Sequence, residues 1–149
     1  MDRPEVSVII PANNEAQTIG ELINKTKTLY PEFEIIVVND GSTDETGAVA
    51  KDAGAIVYSH PYNIGNGAAI KSGIRIASGE ILLFMDGDGQ HNPEDIKGLI
   101  KWLPDYDMVV GARSKGHQAS WVRALGNRVF NWLASYVSKF AIEDLTSGF

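Results

Sequence analysis

Apolar residues in this chain fall into short blocks separated by longer amphipathic stretches. Val6-Ser7-Val8-Ile9-Ile10 is a run of strand length, which Pro11 is expected to stop. After a polar turn at residues 12–15, Ile19, Leu22, Ile23 and Leu29 mark a helix face. Asn14 is placed to cap that helix, with Glu15 in its first turn. Residues 33–38 read as a second buried strand, ending at Asn39-Asp40-Gly41. A helix over about 43–52 stops at Gly54, and residues 55–58 form a third strand. A Gly-rich turn precedes a helix over 68–77. Ile81-Leu82-Leu83-Phe84-Met85 is a fourth strand, followed by Asp86-Gly87-Asp88. Pro93 starts a further helix that Pro104 ends, residues 107–111 form a fifth strand, and 120–140 is helical.

Short apolar strands alternating with helices predict an α/β fold, a mostly parallel sheet covered on both faces. There is no internal repeat and no linker, so the 149 residues read as one domain. The polar turns at 12–15, at Asp40 and at 86–90 all follow strand C-termini. Ligands bind at that edge in open α/β sheets.

Composition narrows the chemistry. The chain is 44% hydrophobic and 21% charged, which suits a globular core. It has no Cys, which removes disulfides, thiolate metal sites and Cys nucleophiles. Thirteen Lys and Arg against 19 Asp and Glu give −6, which argues against duplex nucleic acid as a partner. No apolar run reaches bilayer length, and the first residues lack a signal-peptide core. The charge is uneven: residues 108–142 carry +5 with no acid, leaving −11 on the remainder. Two distinct surfaces, or chance placement on a solvated face, both account for this.

Asp86-Gly87-Asp88 aims two carboxylates at one small volume, where they repel unless a cation sits between them. Oxygen ligands of this kind select Mg²⁺ or Mn²⁺, with phosphate completing the shell. A lone Asp-x-Asp is ordinary turn chemistry. Its place after a buried strand favours the metal reading. Neither Asp86 nor Asp40 begins a calcium loop, because the sixth and twelfth positions do not hold Gly and Glu. Asn63-Ile64-Gly65-Asn66-Gly67 has Ile70 where a dinucleotide fingerprint needs its third Gly. That turn either brings Lys71 to a phosphate or simply starts a helix. Asp40 either accepts the N–H of a nucleobase or caps the following helix. His60, His91 and His117 have no zinc spacing, and His91 is expected to support the Asp86 turn by a hydrogen bond. No serine-hydrolase elbow occurs.

Taken together, several segments resemble the family-2 glycosyltransferases, which have a GT-A fold. They are Val8-Ile9-Ile10-Pro11-Ala12-Asn13-Asn14-Glu15, Val38-Asn39-Asp40-Gly41-Ser42-Thr43-Asp44, Asn63-Ile64-Gly65-Asn66-Gly67-Ala68-Ala69 and Asp86-Gly87-Asp88-Gly89-Gln90-His91. Gly111-Ala112-Arg113 and Asp144-Leu145-Thr146-Ser147-Gly148-Phe149 complete the set, in the family's order. Gln90-His91 and the Thr-Ser-Gly-Phe ending are similar to the branch that makes polyprenyl- or dolichyl-phosphate sugars. The resemblance implies that Pro11, Asn13, Glu15, Val38 and Asp40 hold the nucleoside. It implies that Asp86, Asp88 and Gln90 hold the metal and diphosphate beside the Gly87 backbone, and that Arg113 contacts the donor. The family often has Tyr where Asn13 stands, and Asp or Val where Asn39 stands. Its motif continues past Phe149, so a GT-A catalytic domain truncated on its C-terminal, acceptor side is expected.

The implied reaction moves a sugar, with inversion, from a GDP-mannose or UDP-hexose type donor to a polyprenyl or dolichyl phosphate. Mg²⁺ or Mn²⁺ on Asp86 and Asp88 would neutralise the leaving diphosphate. A phosphate acceptor needs no base, since it is already largely ionised at neutral pH. A hydroxyl acceptor does need one, and Asp144 is the late candidate, with a loop hydrogen bond as its alternative role. Two rivals stand beside this: transfer to a saccharide hydroxyl, and a noncatalytic nucleotide-sugar binding module. A nucleotidyltransferase is disfavoured by the lack of a Gly-rich Lys/Arg signature near the first strand. The expected location is cytoplasmic, at the cytoplasmic face of a membrane. Trp121, Leu125, Val129, Leu133 and Phe140, flanked by Arg123, Arg128 and Lys139, either meet an anionic surface or pack as a core stripe.

Overall fold

The computed structural model describes residues 5–111. Four parallel strands form one sheet in the order β3-β2-β1-β4. They are β1 (Val6–Ala12), β2 (Glu34–Asp40), β3 (Ile56–His60) and β4 (Ile81–Phe84). The helices are α1 (Ile19–Leu29), α2 (Thr46–Asp52), α3 (Asn66–Ile76) and α4 (Ile96–Ile100), the last preceded by a 3₁₀ turn at Pro93–Asp95. The chain forms two compact units, Met1–Gly98 and Leu99–Phe149.

In the first unit the strands with the densest β-branched content take the sheet centre. Val8, Ile9 and Ile10 of β1 and Ile36, Val37 and Val38 of β2 are completely buried, as a strand covered on both faces requires. The crossovers are β-α-β units, whose right-handedness puts α1 and α2 on one face and α3 on the other. On the α3 face Ile36, Val38 and Ala69 pack together. Gly73 brings α3 so close that a Cβ there would lie 2.4 Å from Ile9 Cγ2. On the other face α1 and α2 meet at Gly20, where a Cβ would stand 3.0 Å from Val49 Cγ1.

Three expectations are corrected. Pro11 does not stop β1, which runs through it to Ala12. Ile9 C=O accepts from Met85 N–H (3.1 Å), so Ile9 faces β4 and Pro11, two residues on, faces the same way. The β1–β4 pairing ends at Ile9 and Phe84, so the missing proline N–H falls where no ladder bond is due. Asn14 does not cap α1: Thr18 holds that position, and Asn14 has φ of 60° with its side chain turned elsewhere. Leu29 is exposed, and Thr26 completes the buried face by bonding Leu22 C=O at 2.8 Å.

In the second unit, residues 107–111 are not a strand, and Met108 is 77% exposed. An apolar triplet suggests a strand, but only a paired neighbour makes one. Turns close over 99–105, with the Trp102 and Tyr106 rings edge-on at 6.5 Å. Among the described residues no helix is long and apolar enough to cross a membrane. Residues 120–140, Arg113 and Asp144 lie outside the described residues.

Candidate functional site

Sheet order reverses at β1: β2 and β3 lie to one side, β4 to the other. The crevice beyond the β1 and β4 C-termini is therefore the switch point of the fold. A cleft of about 290 Å³ opens there. Pro11, Ala12, Asn13 and Glu15 line it from the β1 end, Asp40 from β2, and Asp86, Gly87 and Asp88 from beyond β4. Asn63, Gly65, Asn66 and Ala69 come from the loop before α3 and its first turns.

The loops around the cleft are tied to one another. Asn13 Nδ2 donates to Asp40 C=O at 2.7 Å. Asn14 N–H donates to Ser42 Oγ, and Asn14 Oδ1 accepts from Thr43 N–H at 2.8 Å. Asp44 accepts from Ala16 N–H, Thr46 N–H and the Thr46 hydroxyl. The Thr46 hydroxyl bond leads in holding the Asp44 carboxyl below its usual range, against a desolvation that raises it. Thr18 Oγ1 donates to Gly87 C=O at 2.9 Å, joining the start of α1 to the acidic turn. Gly41, at φ of 65°, leaves no space for a side chain: a Cβ would stand 2.2 Å from the Tyr62 carbonyl carbon.

Asp40 is the most enclosed acid of the site, 4% exposed. It pairs in register with His60 at the end of β3. Its Oδ1 lies 2.6 Å from His60 Nδ1 and accepts from Ile64 N–H at 3.0 Å. Its Oδ2 accepts from Gly65 N–H at 2.8 Å. Burial pushes its pKa up. The His60 hydrogen bond, the two backbone N–H bonds and the His60 charge outweigh that and hold the carboxyl below its ordinary value of 3.8. Asp40 does not cap α2; Thr46 N–H goes to Asp44.

Asp86 and Asp88 border the cleft together, half-buried. Asp88 Oδ1 accepts from Gln90 N–H at 2.9 Å, an Asx turn that fixes the loop. His91 Nε2 stands 3.8 Å from Asp86 Oδ2, an ion-pair distance from the acidic turn. Gln90 is exposed and lines a neighbouring cleft of about 360 Å³ with Thr18, Lys25, His91 and Asn92, which Asp88 also borders. Val38, expected at the nucleoside, is wholly buried under α3, so its side chain is core. Lys71 is exposed on α3 and does not line the cleft.

Glu15, Asp40, Asp86 and Asp88 put four acids on the cleft, and no basic side chain lines it among the described residues. No group of three His, Asp or Glu side chains gathers around one point among those residues. Two hard carboxylates suit Mg²⁺ or Mn²⁺, which keep several positions for water and phosphate oxygen. A diphosphate entering so acidic a cleft would be repelled without such a cation.

His60 escaped the sequence reading because its spacing to other histidines carries no signal. What distinguishes it is its place in the folded ladder, at the end of β3 and level with Asp40.

The glycosyl transferase family 2 model matches residues 7–147. An uncharacterized protein of Methanocaldococcus jannaschii is 34% identical over 99% of this chain and 64% of its own length. The undecaprenyl-phosphate 4-deoxy-4-formamido-L-arabinose transferase of Proteus mirabilis is 33% identical over 85% of this chain and 42% of its own. The chain thus spans less than two thirds of either relative. Among solved structures, the glucosyl-3-phosphoglycerate synthase of Mycobacterium tuberculosis, in complex with Mn²⁺, UDP-glucose and phosphoglyceric acid, is similar. It aligns with TM-score 0.58 and 33% identity over 68% of this chain and 39% of its own. Its UDP complex aligns with TM-score 0.75 over 97% of this chain and 55% of its own.

Proposed function

The chain belongs to glycosyl transferase family 2, and from that premise we propose that it binds a nucleotide-diphosphate sugar in the acidic cleft and transfers the sugar to a phosphate-bearing acceptor. The observation that carries this reading is the cleft itself: four acids with no lining cation among the described residues, at the switch point of a parallel sheet. Such a site takes a diphosphate only together with a divalent ion.

Asp40 accepts an N–H of the nucleobase, and Asn13 and the first turn of α3 close around the nucleoside. The start of α3 directs its positive dipole end toward the cleft, where negative charge is favoured. Asp86 and Asp88 hold Mg²⁺ or Mn²⁺, with Gln90 close to them in sequence and on the adjoining cleft. When bound, that ion supplies Lewis-acid neutralisation of the departing diphosphate. The Asp88–Gln90 turn and the Thr18–Gly87 bond hold the two carboxylates in place before the donor arrives. Transfer is a direct displacement with inversion: the acceptor oxygen bonds the anomeric carbon as its bond to the diphosphate breaks.

The Proteus relative, by its name an undecaprenyl-phosphate sugar transferase, favours a polyprenyl phosphate as acceptor. The mycobacterial synthase, in complex with phosphoglyceric acid, supports a small phosphorylated acceptor instead. Both offer an anion, so neither assignment alters the role of the cleft. With a lipid acceptor, the protein works at the cytoplasmic face of a membrane.

Calorimetric titration of UDP and GDP, in Mn²⁺ and in excess chelator, tests the reading. Metal-dependent binding of one of them is expected, with the enhancement lost in Asp88→Asn. Equal affinity in chelator and Mn²⁺ overturns the metal assignment, and no binding of either nucleotide overturns the donor assignment.

A further inference from the structure

We infer that His60 is a positioning residue that makes the base pocket select a nucleobase with a single imide N–H, of the uracil type, over guanine. The inference rests on the reading of Asp40 as the base acceptor, and deepens it.

A carboxylate offers about four lone-pair sites, two on each oxygen. Oδ1 of Asp40 already meets His60 Nδ1 and Ile64 N–H, so both of its sites are taken. Oδ2 holds Gly65 N–H alone and keeps one site. Asp40 is buried and lines the cleft, so water from other directions cannot occupy that site freely. A ligand therefore finds one acceptor on Asp40.

Uracil presents one N–H between two carbonyl oxygens, which fits a single acceptor. Guanine presents adjacent N–H groups on its ring and its amino nitrogen, which fit the two free oxygens of an unencumbered carboxylate. Against this Asp40, one guanine N–H would be left facing a saturated oxygen. A buried donor without a partner is costly, so the mismatch discriminates.

His60 sets this count because it is itself held. The ionised Asp40 only accepts, so His60 Nδ1 carries the proton it donates. Nε2 lies 2.9 Å from Ser72 Oγ on α3, and the Tyr58 ring stands edge-on at 5.5 Å. The imidazole is thus fixed from three sides, and His60 is 8% exposed. Ile64 and Gly65 supply the other two bonds through backbone, which substitution cannot remove. His60 is the one side chain of the three.

The experiment measures the UDP to GDP affinity ratio by calorimetry in saturating Mn²⁺, with thermal melts reporting folding. Wild type is expected to favour UDP by about tenfold or more, the scale of one net hydrogen bond. His60→Asn keeps an amide N–H where Nδ1 stood and should retain the preference. His60→Gln places its amide nearer Ser72, frees Oδ1, and should cut the ratio severalfold by improving GDP binding. A wild type that prefers GDP overturns the proposal whatever the variants do. So does an unchanged ratio in His60→Gln that folds like wild type. If Asp40→Asn leaves UDP affinity unaltered, the base-acceptor reading itself fails. If Asp40→Asn weakens UDP while both His60 variants match wild type, only the role given to His60 fails.

Discussion

At the scale of single residues, Asp40 does more than a helix cap. Its carboxylate gathers the end of β3, through His60, and the turn into α3, through Ile64 and Gly65. Replacing it with Ala removes the acceptor of three donors, the buried His60 N–H and the part-buried Ile64 and Gly65 N–H groups. We expect Asp40→Ala to lose about 1–3 kcal/mol of stability in urea unfolding, more than the ~1 kcal/mol typical of a surface cap, as well as nucleotide affinity. The acid limb of stability follows from the same group. Asp40, Glu34 and Asp44 all have carboxyls held below their ordinary values in the folded protein. For Glu34, burial raises the pKa and the bonds from Ser7 and Ser78 overcome it. Below the ordinary values the unfolded chain binds the extra protons, so stability rises with pH there. It is complete above about pH 5 and falls as pH drops through the folded values. Thermal melts from pH 7 to pH 3 should show this limb, and it should be shallower in Asp40→Asn. A wild-type melting temperature flat down to pH 3 contradicts the assignment.

At the scale of elements, the site depends on how closely α3 lies on the sheet. Its approach is set by Gly73, over Ile9 and Val38. A methyl there gains up to about 1 kcal/mol of helix propensity, but it must displace a β-branched side chain in the sheet centre. Overpacking of that kind costs about 1–3 kcal/mol, so Gly73→Ala should be net destabilising. Because the first turn of α3 lines the cleft, the same shift should weaken nucleotide binding, although Gly73 does not line it. Urea midpoints and UDP titration of this variant check both, and a more stable protein with unchanged affinity refutes the close-packing account. Pro11 works at this scale too. It sits where β1 has outrun β4, so β1 can project Ala12 and Asn13 into the crevice without an unmet ladder bond.

At the scale of the whole molecule, the chain divides its charge. The acidic cleft belongs to the first unit, while residues 108–142 carry five basic side chains and no acid. If the acceptor is a lipid phosphate, five basic residues without an acid are attracted to the anionic surface from which it comes. The protein should then cosediment with anionic vesicles at low salt. Each of Arg123→Glu and Arg128→Glu should remove about 1 kcal/mol or more of that binding. Binding that ignores both reversals would leave the segment a packing element.

The sequence by itself determined the alternation of elements, the parallel sheet and the polar strand ends. Those follow from period and composition, which are local properties of the chain. It also placed Asp40, Asp86 and Asp88 at one edge, because strand ends in a parallel sheet share that edge. Three things were decided only in the tertiary structure. Pro11 continues β1 because a neighbouring strand has already ended. Val38 belongs to the core because α3 covers it. His60 meets Asp40 because the β2–β3 register sets them side by side. Register, strand length and helix cover arise from contacts between residues far apart in the chain, and no window of the sequence contains both partners.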